Sequence, residues 1–170
     1  MGDCQAILIV MGVSGSGKTT VATALAQHLG WPCKDGDELH PAANIAKMRA
    51  GHPLDDHDRG PWLEAIAKWI DKWREAGTSG VIPCSALKRG YRQLLTNGRV
   101  EVRLVYLHGS RSLIAARLAA RTGHFMPTQL LESQFAALEE PDPGEHAIRV
   151  EIDRPVSEIV AEVAAALGCV

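Results

Sequence analysis

The feature that most constrains the fold is a glycine-rich octapeptide, residues 12–19, near the start of the chain. Its sequence, GVSGSGKT, matches the phosphate-loop pattern G-x-x-x-x-G-K-[ST] at every fixed position. A continuous apolar segment of the buried-strand type, residues 6–11, precedes it. Apolar residues at helical spacing follow it as far as Leu29. A strand, a glycine loop and a helix in this order predict a site for the phosphates of a nucleotide.

The predicted loop chemistry assigns roles to individual residues. The glycines let backbone N–H groups surround a polyphosphate, and the following helix N-terminus favours negative charge. Lys18 can reach the β- and γ-phosphates, and the Thr19 hydroxyl can ligate Mg²⁺. The alternative is a glycine-rich turn without a ligand. Such a turn would not need a buried strand before it and a helix after it, and both are predicted here. The residues expected to bind the nucleotide are Gly12, Ser14, Gly15, Ser16, Gly17, Lys18, Thr19 and Thr20.

Composition limits the other classes of function. The length of 170 residues suggests one domain, over residues 1–170. A net charge of −2 does not favour nucleic acid or an anionic membrane as a partner. The four cysteines are far apart and include no C-x-x-C pair, which is typical of free cytosolic thiols. Without a membrane-length apolar run or a basic leader, the sequence predicts a cytoplasmic protein.

Strand-type and helix-type segments alternate along the chain, which predicts an α/β fold. We expect a P-loop NTPase three-layer sandwich, with an about five-stranded parallel sheet and helices on both faces. Pro83 argues against an ordinary interior strand position, and Asp58 is the expected cap of the helix that ends near residue 76. The predicted strands are residues 6–11, 31–34, 80–84, 102–107 and 146–153. The other predicted helices are residues 20–29, 41–50, 87–95, 110–121, 128–138 and 157–167.

Two carboxylates follow the second predicted strand in the tripeptide Asp35-Gly36-Asp37. Both can face the phosphate loop if the chain turns at Gly36, because ligands bind at the carboxyl ends of parallel strands. We expect Asp35, nearer the strand, to hold the metal shell. Asp37 is expected to accept the hydrogen bond, and as a base the proton, of an attacking hydroxyl. The alternative is a solvated turn, since Asp and Gly both favour turns.

Two pairs of cations recur at i, i+4 spacing. Lys88 and Arg92 lie near a predicted helix start at the ligand-binding edge and could clamp a carboxylate or phosphate. Arg117 and Arg121 end another helix, where cations are favourable in any case. Because a glycine-containing break follows them, we interpret residues 121–138 as a helical lid. Arg117 would then contact the nucleotide, and Arg121 would meet transition-state charge.

Three longer stretches resemble the signature sequences of bacterial gluconokinases: residues 35–63, 84–92 and 123–141. The resemblance extends from Ile7 to about Ile159. These enzymes are small P-loop kinases, similar in fold to shikimate and nucleoside monophosphate kinases. The resemblance implies ATP-dependent phosphorylation of D-gluconate to 6-phosphogluconate, with Mg²⁺, by a homodimer. The chain departs from the family at Pro83, and the same strand lacks the usual Walker-B aspartate.

The implied substrate is an anion that carries hydroxyls, so the site needs a cation and several polar side chains. Lys88 and Arg92 suit the carboxylate. The residues that suit the polyol are Asp37, His40, Arg59 and Gln134, with His52 and His124 as further possible hydrogen-bonding groups. The histidines show no metal-ligand spacing.

Two other functions compete with this interpretation. One is a different small-molecule kinase of the same fold, of the shikimate or nucleoside monophosphate type. The acceptor stretch, with its DELHP and DRGPWL segments, favours gluconate. The other is a GTPase-like switch, which reads guanine with an N-K-x-D element. The candidate segments at residues 44–47 and 97–100 both fail that pattern.

Overall fold

The computed structural model describes residues 5–121 and 128–168, with the side chains of residues 128 and 129 left aside. The strands are β1 (Ile7–Met11), β2 (Gly80–Pro83), β3 (Val102–His108) and β4 (Ile148–Glu151). The α-helices are α1 (Lys18–Leu29), α2 (Ala42–Arg49), α3 (Asp56–Glu75), α4 (Arg89–Thr96), α5 (Arg111–Ala120), α6 (Thr128–Ala137) and α7 (Val156–Leu167). Two 3₁₀ helices cover Gly36–Leu39 and Pro143–Glu145. Within the described ranges, no helix combines the length and apolarity needed to span a membrane.

The strands form one parallel sheet in the order β2-β1-β3-β4. The sheet has four strands where about five were expected, because residues 31–34 make only a single bridge, between Cys33 and Val81. Val81 makes both backbone hydrogen bonds of that bridge. Its N–H donates to the Pro32 carbonyl, and its carbonyl accepts from the Lys34 N–H. Pro32 has no N–H to extend the pairing in the other direction.

Pro83 lies in an edge strand of the sheet, since β2 is at one end of the strand order. The Val81 N–H points outward to Pro32, away from β1. Because alternate residues of a strand direct their N–H groups to the same side, the Pro83 nitrogen also points outward. The missing donor therefore costs no hydrogen bond to β1, as the edge rule for proline requires.

Strand β1 is buried on both faces, which explains its continuous apolar sequence. Leu8 and Val10 belong to a core cluster with residues of α1, α5, α6 and α7. Ile7, Ile9 and Met11 belong to a second cluster with residues of α3 and α4. The alternation along one strand confirms the three-layer sandwich. Because β1 lies between β2 and β3, the end of β1 and the phosphate loop that follows it lie away from the sheet's outer strands.

Helix α3 begins one turn earlier than its expected cap. Asp55, not Asp58, is the N-cap: the Asp58 N–H donates to Asp55 Oδ1 at 2.8 Å, and the Asp55 N–H donates to Asp58 Oδ2 at 2.9 Å. This reciprocal pair is a capping box, with Asp58 in the third helical position. The Asp58 carboxylate also accepts from Lys47 at 2.6 Å, which ties α3 to α2. The cap orients the first turn of α3, which carries Asp56 and Arg59.

Candidate active site

The phosphate loop leads from β1 into α1 through backbone conformations that favour glycine. Gly12 and Gly15 have φ of +155° and +83°. A side chain would also not fit: a Cβ on Gly12 would lie 2.7 Å from Ser16 Oγ, and one on Gly15 would lie 2.7 Å from Leu118. Gly17, at the N-cap of α1, leaves the first turn without a side-chain cap. The first N–H groups of α1 therefore stay available to an anion.

The polar side chains of this loop fit a bound polyphosphate. Lys18 Nζ donates to the carbonyls of Gly12 and Val13, both at 3.1 Å. Burial lowers the pKa of Lys18, and the charge of Asp37 opposes that shift. The buried Ser16 hydroxyl has no hydrogen-bond partner among the described residues. An unpaired hydroxyl, a half-buried amine and free helix amides together suit phosphate oxygens. Thr19, the next residue after Lys18, is exposed.

A cavity of about 230 Å³ lies on one side of the loop. It contains Arg117 and Arg121, as expected for the nucleotide side, and Arg117 donates to the Ile152 carbonyl at 2.6 Å. Arg154, which the sequence reading missed, also lines it and pairs with Glu162. Its position just after β4, at the ligand-binding edge, was the available signal. The lining residues are Gly15, Ser16, Gly17, Thr20, Val21, Arg117, Arg121, Ile152, Arg154, Val156 and Ile159.

A larger cavity, of about 620 Å³, lies on the other side and is called the acceptor cavity below. Ser14 and Lys18 of the loop line it, whereas Gly15, Ser16 and Gly17 line the first cavity. Its polar lining residues are Ser14, Lys18, Asp37, His40, His52, Asp55, Asp56, Arg59, Ser85, Lys88, Ser133 and Gln134. Its apolar lining residues are Met48, Pro53, Leu54, Trp62, Leu130 and Ala137. Most of the predicted substrate residues are thus brought together here.

The two carboxylates of the D-G-D turn differ in their surroundings. Asp35 caps the 3₁₀ helix Gly36–Leu39, its Oδ1 accepting from the Asp37 N–H at 2.9 Å. Asp37 lines the acceptor cavity, and burial raises its pKa, followed by the charge of Asp35. Asp37 also has the larger effect of the two on the pKa of Lys18. The structure therefore favours Asp37 as the carboxylate that acts at Lys18, and the metal role of Asp35 stays a prediction.

A set of charged residues lies at the mouth of the acceptor cavity. Lys88 pairs with Asp56 at 2.9 Å, and the Tyr91 hydroxyl donates to the same carboxylate oxygen. Arg59 donates to the Tyr91 hydroxyl at 3.3 Å. Within the described ranges, no carboxylate lies at ion-pair distance from Arg59, so it is the cation of this set without a direct ion-pair partner. Asp56 and Tyr91 lie within the signature-like stretches 35–63 and 84–92, but the sequence analysis assigned neither of them a role.

The prediction that Arg92 clamps the substrate is wrong. Its side chain is 1% exposed, and its guanidinium binds Glu145 through two bonds of 2.6 and 3.1 Å. The remaining donor binds the carbonyls of Ala86 and Leu87, both at 3.0 Å. The spacing argument failed because Lys88 is the extended N-cap of α4, so the two residues do not share a helical face. Arg92 instead joins α4 to the Pro143–Glu145 turn.

We therefore expect Arg92→Met to act on stability. Removing one partner of a buried ion pair leaves the Glu145 carboxylate without its guanidinium and should lower the free energy of unfolding by about 3–5 kcal/mol. Arg89→Met is the matched control in the same helix: Arg89 pairs with Asp142 at the surface, 54% exposed, and should cost less than about 1 kcal/mol. Urea denaturation measures both. Equal, small losses would contradict a structural role for Arg92.

Helix α6 connects the expected lid region to the loop. Gln134 Oε1 accepts from the Ser14 N–H at 3.2 Å, and Gln134 lines the acceptor cavity. His124, the other lid residue predicted to bind substrate, lies outside the described residues, as does the rest of 122–127. Closure of a lid over 121–138 stays a prediction.

The parallel sheet, the phosphate loop and the two flanking cavities define a P-loop kinase fold. A family model described as an AAA domain matches residues 7–141. The gluconokinase of Gluconobacter oxydans is 47% identical over 95% of this chain and 91% of its own. The thermoresistant gluconokinase of Escherichia coli is 45% identical over 91% of this chain and 89% of its own.

A solved structure gives the same result. The crystal structure of a gluconokinase from Sinorhizobium meliloti superposes with a TM-score of 0.87 at 45% identity, covering 96% of this chain and 91% of that one. The chain therefore belongs to the gluconokinase family.

Proposed function

We propose that the protein transfers the γ-phosphoryl group of ATP to a hydroxyl of D-gluconate, giving 6-phospho-D-gluconate. The observation that carries the proposal is the acceptor cavity, whose lining includes the phosphate-loop lysine, the Asp37 carboxylate with its raised pKa, and Arg59, which has no ion-pair partner among the described residues. A sugar acid has a carboxylate for Arg59 and hydroxyls for Asp37. The gluconokinase relatives support the same substrate.

The residues present suit an in-line transfer. The loop amides and Lys18 hold the phosphates, and Asp37 accepts the proton of the attacking hydroxyl as the new O–P bond forms and the bond to the β-phosphate oxygen breaks. Burial favours this role, since a raised pKa makes Asp37 a stronger proton acceptor. Thr19 and Asp35 are proposed to hold Mg²⁺, which would neutralise charge on the phosphate oxygens. Arg121 would stabilise the transition-state charge from the nucleotide side.

Among the cations, Arg59 is proposed to bind the gluconate carboxylate, because Lys88 is already paired with Asp56. A charge-assisted hydrogen bond contributes about 1.5–3 kcal/mol, so Arg59→Met should raise the KM for gluconate roughly 10- to 100-fold. Lys88→Met, the matched control in the same charged set, should raise it less. Steady-state kinetics at saturating ATP measures both. Equal effects, or a larger one from Lys88→Met, would assign the carboxylate to the lysine.

A substrate panel tests the function itself. The purified protein would be assayed with ATP and, in turn, D-gluconate, shikimate and AMP. We expect kcat/KM to be highest for D-gluconate by several orders of magnitude, because a site built for specific polar groups rejects ligands that leave them unpaired. Preference for shikimate or AMP would replace gluconate with the competing function.

The quaternary structure, location and domain organisation are proposals as well. The family resemblance supports a homodimer, and the widely spaced cysteines support a cytoplasmic location. A single P-loop kinase domain over residues 1–170, with its lid near 121–138, is the organisation that the length supports.

A further inference from the structure

The inference concerns Asn44, a buried polar residue of α2 that is 5% exposed. Its side-chain nitrogen makes two hydrogen bonds, to the Asp58 backbone carbonyl at 2.8 Å and to His40 Nδ1 at 3.2 Å. A carbonyl can only accept, so the amide nitrogen, not the amide oxygen, must face Asp58. This contact fixes the orientation of the amide independently of His40.

The amide in turn fixes the proton of His40. An NH₂ group only donates, so His40 Nδ1 must accept, and the neutral ring carries its proton on Nε2. Burial, followed by the charge of Arg59, lowers the pKa of His40 to about 4, so the ring is neutral near pH 7.

The ring is also held in place by stacking. His40 stacks on Trp62 with a centroid distance of 4.3 Å and an interplanar angle of 12°. Trp62 is itself fixed, since its indole N–H donates to the Gly36 carbonyl at 2.8 Å. His40 lines the acceptor cavity and Asn44 does not. The ring edge away from Asn44, which carries Nε2, is therefore the edge available to a ligand.

We infer that Asn44 is a positioning residue that makes His40 a hydrogen-bond donor, through Nε2–H, to an oxygen of the acceptor substrate. This inference rests on the proposed function. It gives two residues of the acceptor cavity complementary roles, because Asp37 then offers a hydrogen-bond acceptor and His40 a donor to the hydroxyls of a polyol acid. It also excludes His40 as the base, since its single lone pair at Nδ1 is used by Asn44. The proton of the attacking hydroxyl is left to Asp37.

The direct test is ¹⁵N NMR of the histidine side chains in the free protein, without gluconate or nucleotide. His40→Gln identifies the His40 signals by their loss. We expect a single neutral tautomer with the proton on Nε2 at pH 7 and an Nδ1 shift of an accepting nitrogen. In Asn44→Leu, which removes the donor at similar size, the Nδ1 and Nε2 shifts should move toward a mixture of tautomers. Because no substrate is present, this readout does not depend on whether gluconate is the substrate.

Two further variants complete the design. Lys47→Met is the matched control, because it removes the other contact between α2 and Asp58, at 2.6 Å, without touching His40. It should leave the His40 shifts unchanged. If Asn44→Leu does not fold, Asn44→Ala answers the same question, since it also removes the donor to His40 Nδ1 and places no new group against the Asp58 carbonyl.

Kinetics gives the second readout. Losing one substrate hydrogen bond should raise the KM for gluconate about tenfold in His40→Gln. Asn44→Leu should raise it less, because part of the population keeps the proton on Nε2. If Asn44 acts through His40, the double variant should be little worse than His40→Gln alone. Protonation of His40 at Nδ1 in the wild type, unchanged shifts in Asn44→Leu, or fully additive effects on KM would overturn the inference.

Discussion

Replacing Lys18 with methionine is expected to lower kcat on the order of 10²–10³-fold, the range found when one group that stabilises transition-state charge is removed. Lys18 lines the acceptor cavity and has only backbone carbonyls as hydrogen-bond partners among the described residues. Its removal therefore leaves no side-chain charge that depended on it for a direct bond. The fold should persist, and a thermal unfolding scan and kcat measured on the same preparation separate the two effects.

Lys34→Met is a suitable control for the loss of a lysine. Lys34 pairs with Glu38 at 2.7 Å on the surface and lines neither cavity. Its loss should leave kcat within a factor of two or so, since exposed ion pairs contribute little. Retention of more than about a tenth of wild-type turnover in Lys18→Met, a loss below about 1.4 kcal/mol of barrier, would remove Lys18 from the catalytic role.

The second large effect is expected for Asp37→Asn. Loss of a positioned acceptor and base typically costs 10²–10⁴-fold, and the loose transition state of phosphoryl transfer favours the lower end. The defect should appear with gluconate at saturating Mg²⁺. Asparagine keeps the size of the side chain but cannot take up the proton. Part of the loss in activity should therefore come from weaker positioning of the attacking hydroxyl.

Asp35→Asn is the matched variant two residues away. If Asp35 holds the metal shell, its replacement should raise the Mg²⁺ requirement and leave the KM for gluconate nearly unchanged. Titrating both variants first with Mg²⁺ and then with gluconate separates the roles. The reverse pattern would exchange the two assignments, and near-normal kinetics in both would remove the D-G-D turn from the active site.

Features with a local cause could be predicted from the sequence. The phosphate loop is set by glycines at fixed spacing, and the positive φ of Gly12 and Gly15 shows why no other residue fits there. The sandwich follows from the alternation of apolar strands and helices, and β1 is buried on both faces as its sequence indicates. The convergence of Asp37 and Lys88 on one edge follows from the parallel topology.

Features that depend on contacts between distant parts of the chain could not be predicted from the sequence. The role of Arg92 depends on Glu145, 53 positions further along the chain, and on the backbone conformation of Lys88. The charge balance around Arg59 depends on a contact between Asp56 and Tyr91, 35 positions apart. Spacing within a single helix carries no information on either contact.

The fifth strand illustrates a competition between local and tertiary effects. A strand was predicted over residues 31–34, and the segment does lie beside β2, but it makes a single bridge there because Pro32 has no N–H to extend the pairing. The sequence signal for a strand was present, and the proline limited the hydrogen bonding that it led to.

The central claim is that the acceptor cavity delivers a gluconate hydroxyl to a phosphate held at Lys18. The most direct measurement is ³¹P NMR of the purified protein with ATP, Mg²⁺ and D-gluconate. We predict a phosphomonoester signal that grows in equal amount with ADP, and that grows on the order of 10²–10³-fold more slowly with Lys18→Met. Formation of ADP without a phosphomonoester of gluconate, or no turnover of ATP with gluconate present, would contradict the account.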